Sequence, residues 1–165
     1  MIRLLLKSDI NDCCDIISSV ILKMNSSGID QWDEIYPARS DIENDINNNN
    51  AFGYIHNEKV SAYITLNELQ SPEYAALAWG IEGRNLIVHR LSVSPDMQGK
   101  GIARKMMLFA EEYATAQKYD SIRLDAFTEN PTAINLYLKL GYKEVGSVIF
   151  RKGKFLCYEK RINRE

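Results

Sequence analysis

Length, composition and charge already exclude several classes of protein. The 165 residues, 45% of them hydrophobic, suffice for one buried core, which predicts a single domain over residues 1–165. Twenty basic and twenty-two acidic side chains give a net charge of −2, so the chain has no overall positive field to hold nucleic acid. No apolar run approaches the about 20 residues of a membrane span, and the first residues do not resemble a signal peptide. We therefore expect a soluble, cytoplasmic protein with no membrane partner.

The chain has three cysteines, Cys13, Cys14 and Cys157. Their number is odd, and their spacing fits neither a CxxC motif nor a metal site. We interpret them as packing residues in a reducing compartment, and we predict no bound metal.

The first elements read as a strand followed by a helix. Residues 2–6 (IRLLL) predict a short strand. Ser8 is expected to cap the helix that follows, and Gly28 to end it. Between them, apolar residues recur at helical spacing at Ile10, Cys14, Ile17, Ile21 and Met24.

An aromatic loop and a second helix come next. Residues 29–39 contain Trp32 and Tyr36 and show no regular period, which predicts a loop. Ser40 and Glu43 have the spacing of a capping box, which predicts a short helix after the loop.

The middle of the chain is rich in strand patterns. Residues 51–56 and 60–66 flank a turn around Asn57 and Glu58 and predict a hairpin. Residues 85–93 (NLIVHRLSV) predict a further strand after an irregular segment. In that strand Arg90 alternates with His89 and is expected to face the opposite layer, where Asp125 or Glu82 is available as a partner.

The last third contains helices and strands in alternation. A helix after Gly101, a strand at 122–127 and a helix from Pro131 precede a closing strand pair, 145–150 and 155–162. This order predicts an α/β (α+β) fold with a mixed central sheet of six to seven strands flanked by helices. The strand at 155–162 would allow a homodimer if it lies at a sheet edge, and the sequence leaves the oligomeric state otherwise open.

The most informative stretch is LSVSPDMQGKGIARKMM, which leads from the strand at 85–93 into an apolar helix. The first turn of a helix carries N–H groups without internal partners, and it attracts phosphate. Gly99 and Gly101 remove side chains that would obstruct a phosphate, while Lys100 and Arg104 add positive charge. Neither the P-loop pattern nor the GxGxxG pattern fits the spacing of this stretch.

Residues Gln98–Ala103 form QxxGxA, which resembles the (Q/R)xxGx(G/A) pyrophosphate-binding signature of the GNAT superfamily of acyl-CoA-dependent N-acyltransferases. Residues 130–142 (NPTAINLYLKLGY) resemble the second signature of that family, Asn-x-x-Ala-x-x-Leu-Tyr followed by glycine and an aromatic residue. The resemblance implies a single-domain GNAT fold with a cofactor cleft between splayed parallel strands. It also implies N-acetyltransferase activity, with acetyl-CoA as the co-substrate.

The same resemblance assigns the cofactor-binding residues. The strand end that is expected to bulge and to bind the pantetheine amides consists of Leu91, Ser92 and Val93. The pyrophosphate is assigned to Gln98, Gly99, Lys100, Gly101, Ile102, Ala103 and Arg104. The second signature contributes Asn130, Ala133 and Tyr137.

Acyl transfer from a thioester to an amine requires an acid and a base. The resemblance gives Tyr137 the role of acid for the departing thiolate; packing on an amphipathic helix is the alternative. His89 is the candidate base, because a histidine changes charge in the physiological pH range and His89 precedes the cofactor segment. A histidine bonded within the core, a carboxylate or a water remain alternatives for the base, and His56 is expected to be solvated.

Gln31, Trp32 and Tyr36 occupy the region where GNAT proteins bind the acceptor, although a hydrophobic plug would have the same composition. The predicted function is direct transfer of an acetyl group to a primary amine of a small molecule, peptide or protein. A non-catalytic acyl-CoA-binding sensor and a nucleotide-phosphate-binding protein are the alternatives.

Overall fold

The predicted strands and helices are present, with differences at their ends. The computed structural model describes residues 1–163, and within that range it contains seven strands and four α-helices. The strands are β1 (Ile2–Leu4), β2 (Ala51–His56), β3 (Lys59–Asn67), β4 (Asn85–Val93), β5 (Ser121–Phe127), β6 (Lys143–Phe150) and β7 (Gly153–Arg161). The helices are α1 (Ile10–Ser26), α2 (Arg39–Asn47), α3 (Ile102–Ala116) and α4 (Pro131–Lys139).

The strands form one mixed sheet in the order β1-β2-β3-β4-β5-β7-β6. The β4–β5 pair is parallel and runs from Asn85–Ser121 to Ile87–Arg123. The β1–β2, β2–β3, β5–β7 and β6–β7 pairs are antiparallel. This arrangement confirms the predicted α/β class with a seven-stranded mixed sheet and flanking helices.

Tertiary contacts divide the chain into two compact units. The first comprises Met1–Leu66 and His89–Phe109. The second comprises Asn67–Val88 and the residues from Ala110 onward. Strand β4 and helix α3 each contribute residues to both units, and a single domain over residues 1–165 stays a prediction.

The core of the first unit is built from the apolar faces of α1 and α2 and from strand residues. Buried positions in both helices recur at intervals of three or four residues, as the amphipathic pattern predicts. The buried cluster consists of Leu5, Cys13, Ile16, Ile17, Val20, Trp32, Ile42, Ile46, Ala51, Val60 and Tyr63.

The predicted caps of α1 and α2 are wrong. The residue that precedes α1 is Asp9 and the residue that precedes α2 is Ala38, and neither side chain bonds an N–H group of its helix. The carboxylates of Asp9 and Asp41 instead accept backbone N–H groups of the residues that lead into each helix. A carboxylate is the stronger acceptor, because charge-assisted hydrogen bonds exceed those of a hydroxyl. The two bonds are Leu6 N to Asp9 Oδ2 and Ala38 N to Asp41 Oδ2, each 2.7 Å long.

Strand β7 lies inside the sheet of the second unit. It pairs with β5 along one side and with β6 along the other. The edge strands of the sheet are β1 and β6. The condition for a homodimer through residues 155–162, an edge position of that strand, is therefore not met, because both sides of this strand are already paired.

A buried ion pair fixes the irregular segment before β4 in the second unit. Arg123 Nε lies 2.8 Å from Glu159 Oε2, and both side chains are almost fully buried. The other carboxylate oxygen of Glu159 accepts the N–H groups of Gly80 and Ile81 at 2.9 and 3.1 Å. The Arg123 guanidinium also lies 4.4 Å from the Trp79 ring centre. A non-repetitive loop is thus held by strand residues.

Candidate active site

Strand β4 changes conformation at Arg90, near its C-terminal end. Arg90 has a φ of +53°, a left-handed conformation that is uncommon for a residue other than glycine. The Ser92 hydroxyl donates to the Arg90 carbonyl at 3.2 Å. This interruption directly precedes Leu91, Ser92 and Val93, where the resemblance described above implies a bulge. A left-handed residue redirects the backbone groups that follow it, as a bulge does.

The glycine-rich segment is held to the end of β4. The Gln98 side chain donates to the Val93 carbonyl at 3.0 Å, and its oxygen accepts from Lys23 Nζ at 2.6 Å. Gly99 and Gly101 have φ values of +75° and +76°. A Cβ at either glycine would meet no atom within 4 Å. The backbone conformation therefore favours glycine, and the space beside it is open.

The start of α3 combines helix-entrance N–H groups with positive side chains. Ile102 begins the helix and is buried, so the first turn is anchored. The N–H groups of a first turn have no partners within their own helix, and they carry the positive end of the helix dipole. Lys100 and Arg104 are exposed at this entrance and add positive charge. Together with the open space at the two glycines, these groups form a cradle for an anion.

In the second unit, the Asn130 signature performs a structural task. The Asn130 side-chain oxygen accepts the N–H of Ala133 at 3.3 Å and caps α4. Tyr137 on α4 is 7% exposed. Its ring packs against Tyr142 and Tyr158, with ring centres 6.1 and 6.2 Å away. The cap and these ring contacts fix the position of Tyr137.

The environment of Tyr137 keeps its hydroxyl protonated. Burial raises the pKa of Tyr137 above its ordinary value, and the negative charge of Asp125 raises it further. Asp125 accepts a 2.5 Å hydrogen bond from the Tyr74 hydroxyl. Burial raises the pKa of Asp125 to about 6, although this hydrogen bond favours the ionised form. At neutral pH, Tyr137 can therefore donate a hydrogen bond.

The partner of Arg90 is Asp45 on α2, and neither of the two expected partners, Asp125 and Glu82. The pair is bidentate: Arg90 Nη2 lies 2.5 Å from Asp45 Oδ1, and Nε lies 2.7 Å from Oδ2. Sequence reasoning missed Asp45. The available signal was its position on the apolar face of α2, because a carboxylate buried there requires a charged or hydrogen-bonding partner.

His89 is half-buried in β4, directly before Arg90. The left-handed conformation of Arg90 interrupts the strand alternation by which His89 and Arg90 were expected to face opposite layers. The role of His89 as base stays a prediction. His56, at the end of β2, is exposed as expected.

The three predicted acceptor residues have different environments. Trp32 is 9% exposed and belongs to the core of the first unit. Gln31 is half-buried, whereas Tyr36 is 39% exposed. The Tyr36 hydroxyl accepts a hydrogen bond from Arg90 Nη1 at 2.8 Å. The aromatic loop thus combines a buried anchor with a tyrosine at the surface.

The cysteines lie in environments that disfavour the thiolate. Burial raises the pKa of Cys13 and of Cys157 to about 12, and it raises that of Cys14 as well. Across residues 1–163, no three His, Cys, Asp or Glu side chains are grouped so that they could hold a metal ion. The helices of that same range include none with the length and apolarity to cross a membrane.

The sequence matches the model of the acetyltransferase (GNAT) family over residues 21–142. It is 25% identical over 147 residues to the uncharacterized N-acetyltransferase YesJ of Bacillus subtilis, a match that covers 86% of this chain and 79% of YesJ. It is 30% identical over 129 residues to the spermidine N(1)-acetyltransferase of Vibrio cholerae, covering 66% of this chain and 75% of that protein.

Solved structures extend the likeness to the whole fold. A GNAT-family acetyltransferase of Streptococcus agalactiae superposes with a TM-score of 0.86 at 27% identity, covering 100% of this chain and 96% of that one. A putative acetyltransferase of Staphylococcus aureus superposes with a TM-score of 0.78 at 24% identity, covering 99% of both chains. The second likeness shows the fold alone.

Proposed function

Because the chain belongs to the GNAT family of acetyltransferases, we propose that it transfers the acetyl group of acetyl-CoA directly to a primary amine. The acceptor is a small molecule or an amine of a peptide or protein. The V. cholerae relative named for spermidine supports an amine acceptor.

One observation carries the donor half of this proposal, the glycine entrance of α3. Gly99 and Gly101 are both left-handed, with open space where a Cβ would lie. The pyrophosphate of CoA is assigned to the backbone N–H groups of residues 99–104, with Lys100 and Arg104 adding charge. Gln98 has a supporting task, since it ties this segment to Val93.

The end of β4 is assigned to the pantetheine arm and the thioester. The arm has amides that need backbone partners, and the left-handed turn at Arg90 redirects the groups of Leu91, Ser92 and Val93. N–H groups aimed at the thioester carbonyl would stabilise the negative charge that develops on its oxygen. The resemblance assigns both tasks to these residues.

The reaction forms a carbon–nitrogen bond and breaks a carbon–sulfur bond. The amine nitrogen attacks the thioester carbonyl, gives up a proton, and the CoA thiolate leaves. Tyr137 is assigned the donation of a proton or hydrogen bond to that thiolate, because its phenol is protonated at neutral pH. The products are an N-acetyl amide and free CoA.

His89 is the proposed base for the amine proton, with a water as its alternative. A carboxylate is the other alternative, and Glu68 is poorly suited to that role. It accepts hydrogen bonds from Tyr119 at 2.9 Å and from Arg84 at 2.7 Å, and these lower its pKa. Glu34 is exposed in the aromatic loop and remains available.

Direct transfer is favoured over an acetyl-cysteine intermediate. A cysteine acts as a nucleophile through its thiolate. Burial raises the pKa of each cysteine in this chain, so the thiolate is scarce at neutral pH.

The test is release of CoA thiol from acetyl-CoA in the presence of spermidine, amino acids and an unmodified peptide, with mass spectrometry of the acceptor. We expect thiol release that depends on one class of amine and matches the amount of acetylated product. Binding of CoA without turnover across the panel would favour the sensor alternative. A thermal shift with ATP but not with CoA would favour a nucleotide-binding protein.

A further inference from the structure

Arg90 connects two segments of the first unit that the proposed function uses. Its backbone forms the left-handed turn in β4, and its side chain is 12% exposed. The guanidinium binds both carboxylate oxygens of Asp45, at 2.5 and 2.7 Å, and donates to the Tyr36 hydroxyl at 2.8 Å. The Arg90 side chain therefore contacts both helix α2 and the aromatic loop, and Arg90 itself directly precedes residues 91–93.

The left-handed conformation of Arg90 needs an external restraint. The Cβ of an L-residue disfavours positive φ, so a non-glycine residue adopts it when its surroundings determine it. The bidentate pair with Asp45 supplies such a restraint, because two parallel bonds fix the orientation of the guanidinium. Burial disfavours the charged arginine, but the bond to Asp45 raises the pKa of Arg90 overall, so the guanidinium stays charged.

Asp45 is itself held in place. The Thr65 hydroxyl donates to its Oδ2 at 2.7 Å, and the Tyr63 hydroxyl donates to the same oxygen. Thr65 and Tyr63 are fully buried on β3. The carboxylate that binds Arg90 is thus fixed by two hydroxyl groups of a neighbouring strand, and it has little freedom to follow a displaced guanidinium.

We propose that Arg90 is a positioning residue: through Asp45 it fixes the backbone of residues 91–93, and through Tyr36 it fixes the loop that receives the amine. This inference rests on the proposed function. Arg90 then has two roles, a backbone part and a side-chain part. The backbone part concerns acetyl-CoA and the side-chain part concerns the acceptor.

The backbone part is tested by comparing Arg90→Gly with Arg90→Ala. Either change alone would leave the buried Asp45 without a charged partner. Each is therefore made together with Asp45→Asn, which keeps an oxygen for Tyr63 and Thr65. Glycine adopts positive φ without strain and alanine does not. We expect the KM for acetyl-CoA to be about tenfold higher in the alanine variant than in the glycine variant.

Asn57 provides the matched control, because it has a φ of +49° in the exposed β2–β3 turn. Asn57→Gly and Asn57→Ala should differ in stability in the same direction, with equal KM values for acetyl-CoA. Equal acetyl-CoA KM values in the two Arg90 variants would overturn the backbone part of the proposal.

The side-chain part is tested with Tyr36→Phe, which keeps the ring and the Arg90–Asp45 pair but removes the hydroxyl. We expect the KM for the amine to rise about tenfold while the KM for acetyl-CoA stays unchanged. An unchanged amine KM would overturn this part.

Failure of the proposed function has a different signature, which is absence of turnover in the unaltered protein with every amine. In that event CoA affinity, measured by calorimetry, decides the backbone part alone. Unequal affinity of the glycine and alanine variants would support it, and equal affinity would refute it.

Discussion

Tyr74 donates a 2.5 Å hydrogen bond to Asp125, a carboxyl group whose pKa burial raises from 3.8 to about 6. The folded protein therefore binds the carboxyl proton of Asp125 more tightly than the unfolded chain does. The stability that the protonated Asp125 contributes is fully present below pH 3.8 and is lost as the pH rises through 6. Above that range the ionised carboxylate lowers the free energy of unfolding by about 3 kcal/mol.

Asp125→Asn removes this charge and keeps an oxygen that can accept from Tyr74. We expect the variant to exceed the unaltered protein in unfolding free energy by up to about 3 kcal/mol at pH 8, and by much less at pH 4. Urea unfolding at pH 4, 6 and 8 measures the difference. Glu129→Gln, at an exposed position, is the control and should show no such trend. A difference for Asp125→Asn that is constant with pH would contradict the assignment.

Gly101→Ala should weaken CoA binding about tenfold or more, because alanine resists the φ of +76° that shapes the anion cradle. Gly28→Ala is a matched control, since Gly28 has a φ of +77° and is equally open to a Cβ. Each change should lower the unfolding free energy by about 1 kcal/mol. Calorimetry with CoA should then separate them. Equal affinities would show that residues 99–104 do not hold the pyrophosphate.

Tyr137→Phe should lower kcat by about 100-fold or more and leave acetyl-CoA affinity nearly unchanged. The ring contacts to Tyr142 and Tyr158 persist in phenylalanine, so the unfolding free energy should change by less than about 1 kcal/mol. Tyr158→Phe removes a hydroxyl from the neighbouring ring and should leave kcat within about twofold of the original. A normal kcat for Tyr137→Phe, measured where chemistry limits turnover, would reduce Tyr137 to a packing residue.

His89→Gln should abolish the rise of activity with pH that accompanies loss of the imidazole proton, and CoA affinity should stay nearly constant. The profile must be measured with amines of different pKa, because ionisation of the acceptor produces a similar limb. A limb that moves with the acceptor and survives in His89→Gln would exclude His89 as the base.

The sequence predicted strand β4 and the entrance of α3 well, because local rules determine both. The bounds of β4 match the predicted 85–93, and Gly28 follows the end of α1 as expected. The predicted caps Ser8 and Ser40 were wrong, because a serine next to an aspartate leaves the choice of N–H acceptor open. The choice depends on which side chain reaches the N–H group, and the three-dimensional structure rather than the sequence determines that.

The partner of Arg90 could not be predicted from strand periodicity. The alternation of side chains assumes extended backbone, and Arg90 departs from it with a φ of +53°. Asp45 lies 45 residues earlier in the chain, on a helix whose packing the sequence does not specify. The internal placement of β7 could not be predicted for a related reason, since the order of strands in a sheet depends on contacts between distant segments.

The internal position of β7 has a consequence for the order of folding. The β6–β7 hairpin closes across Phe150 and Gly153, so it can form locally. The residues of β5 find their partners in β7 between 28 and 40 positions further along the chain. Closing the longer loop costs more chain entropy than closing the hairpin. We therefore expect β5 to pair with β7 only after the β6–β7 hairpin has formed, so that the centre of the second unit's sheet is assembled after its edge.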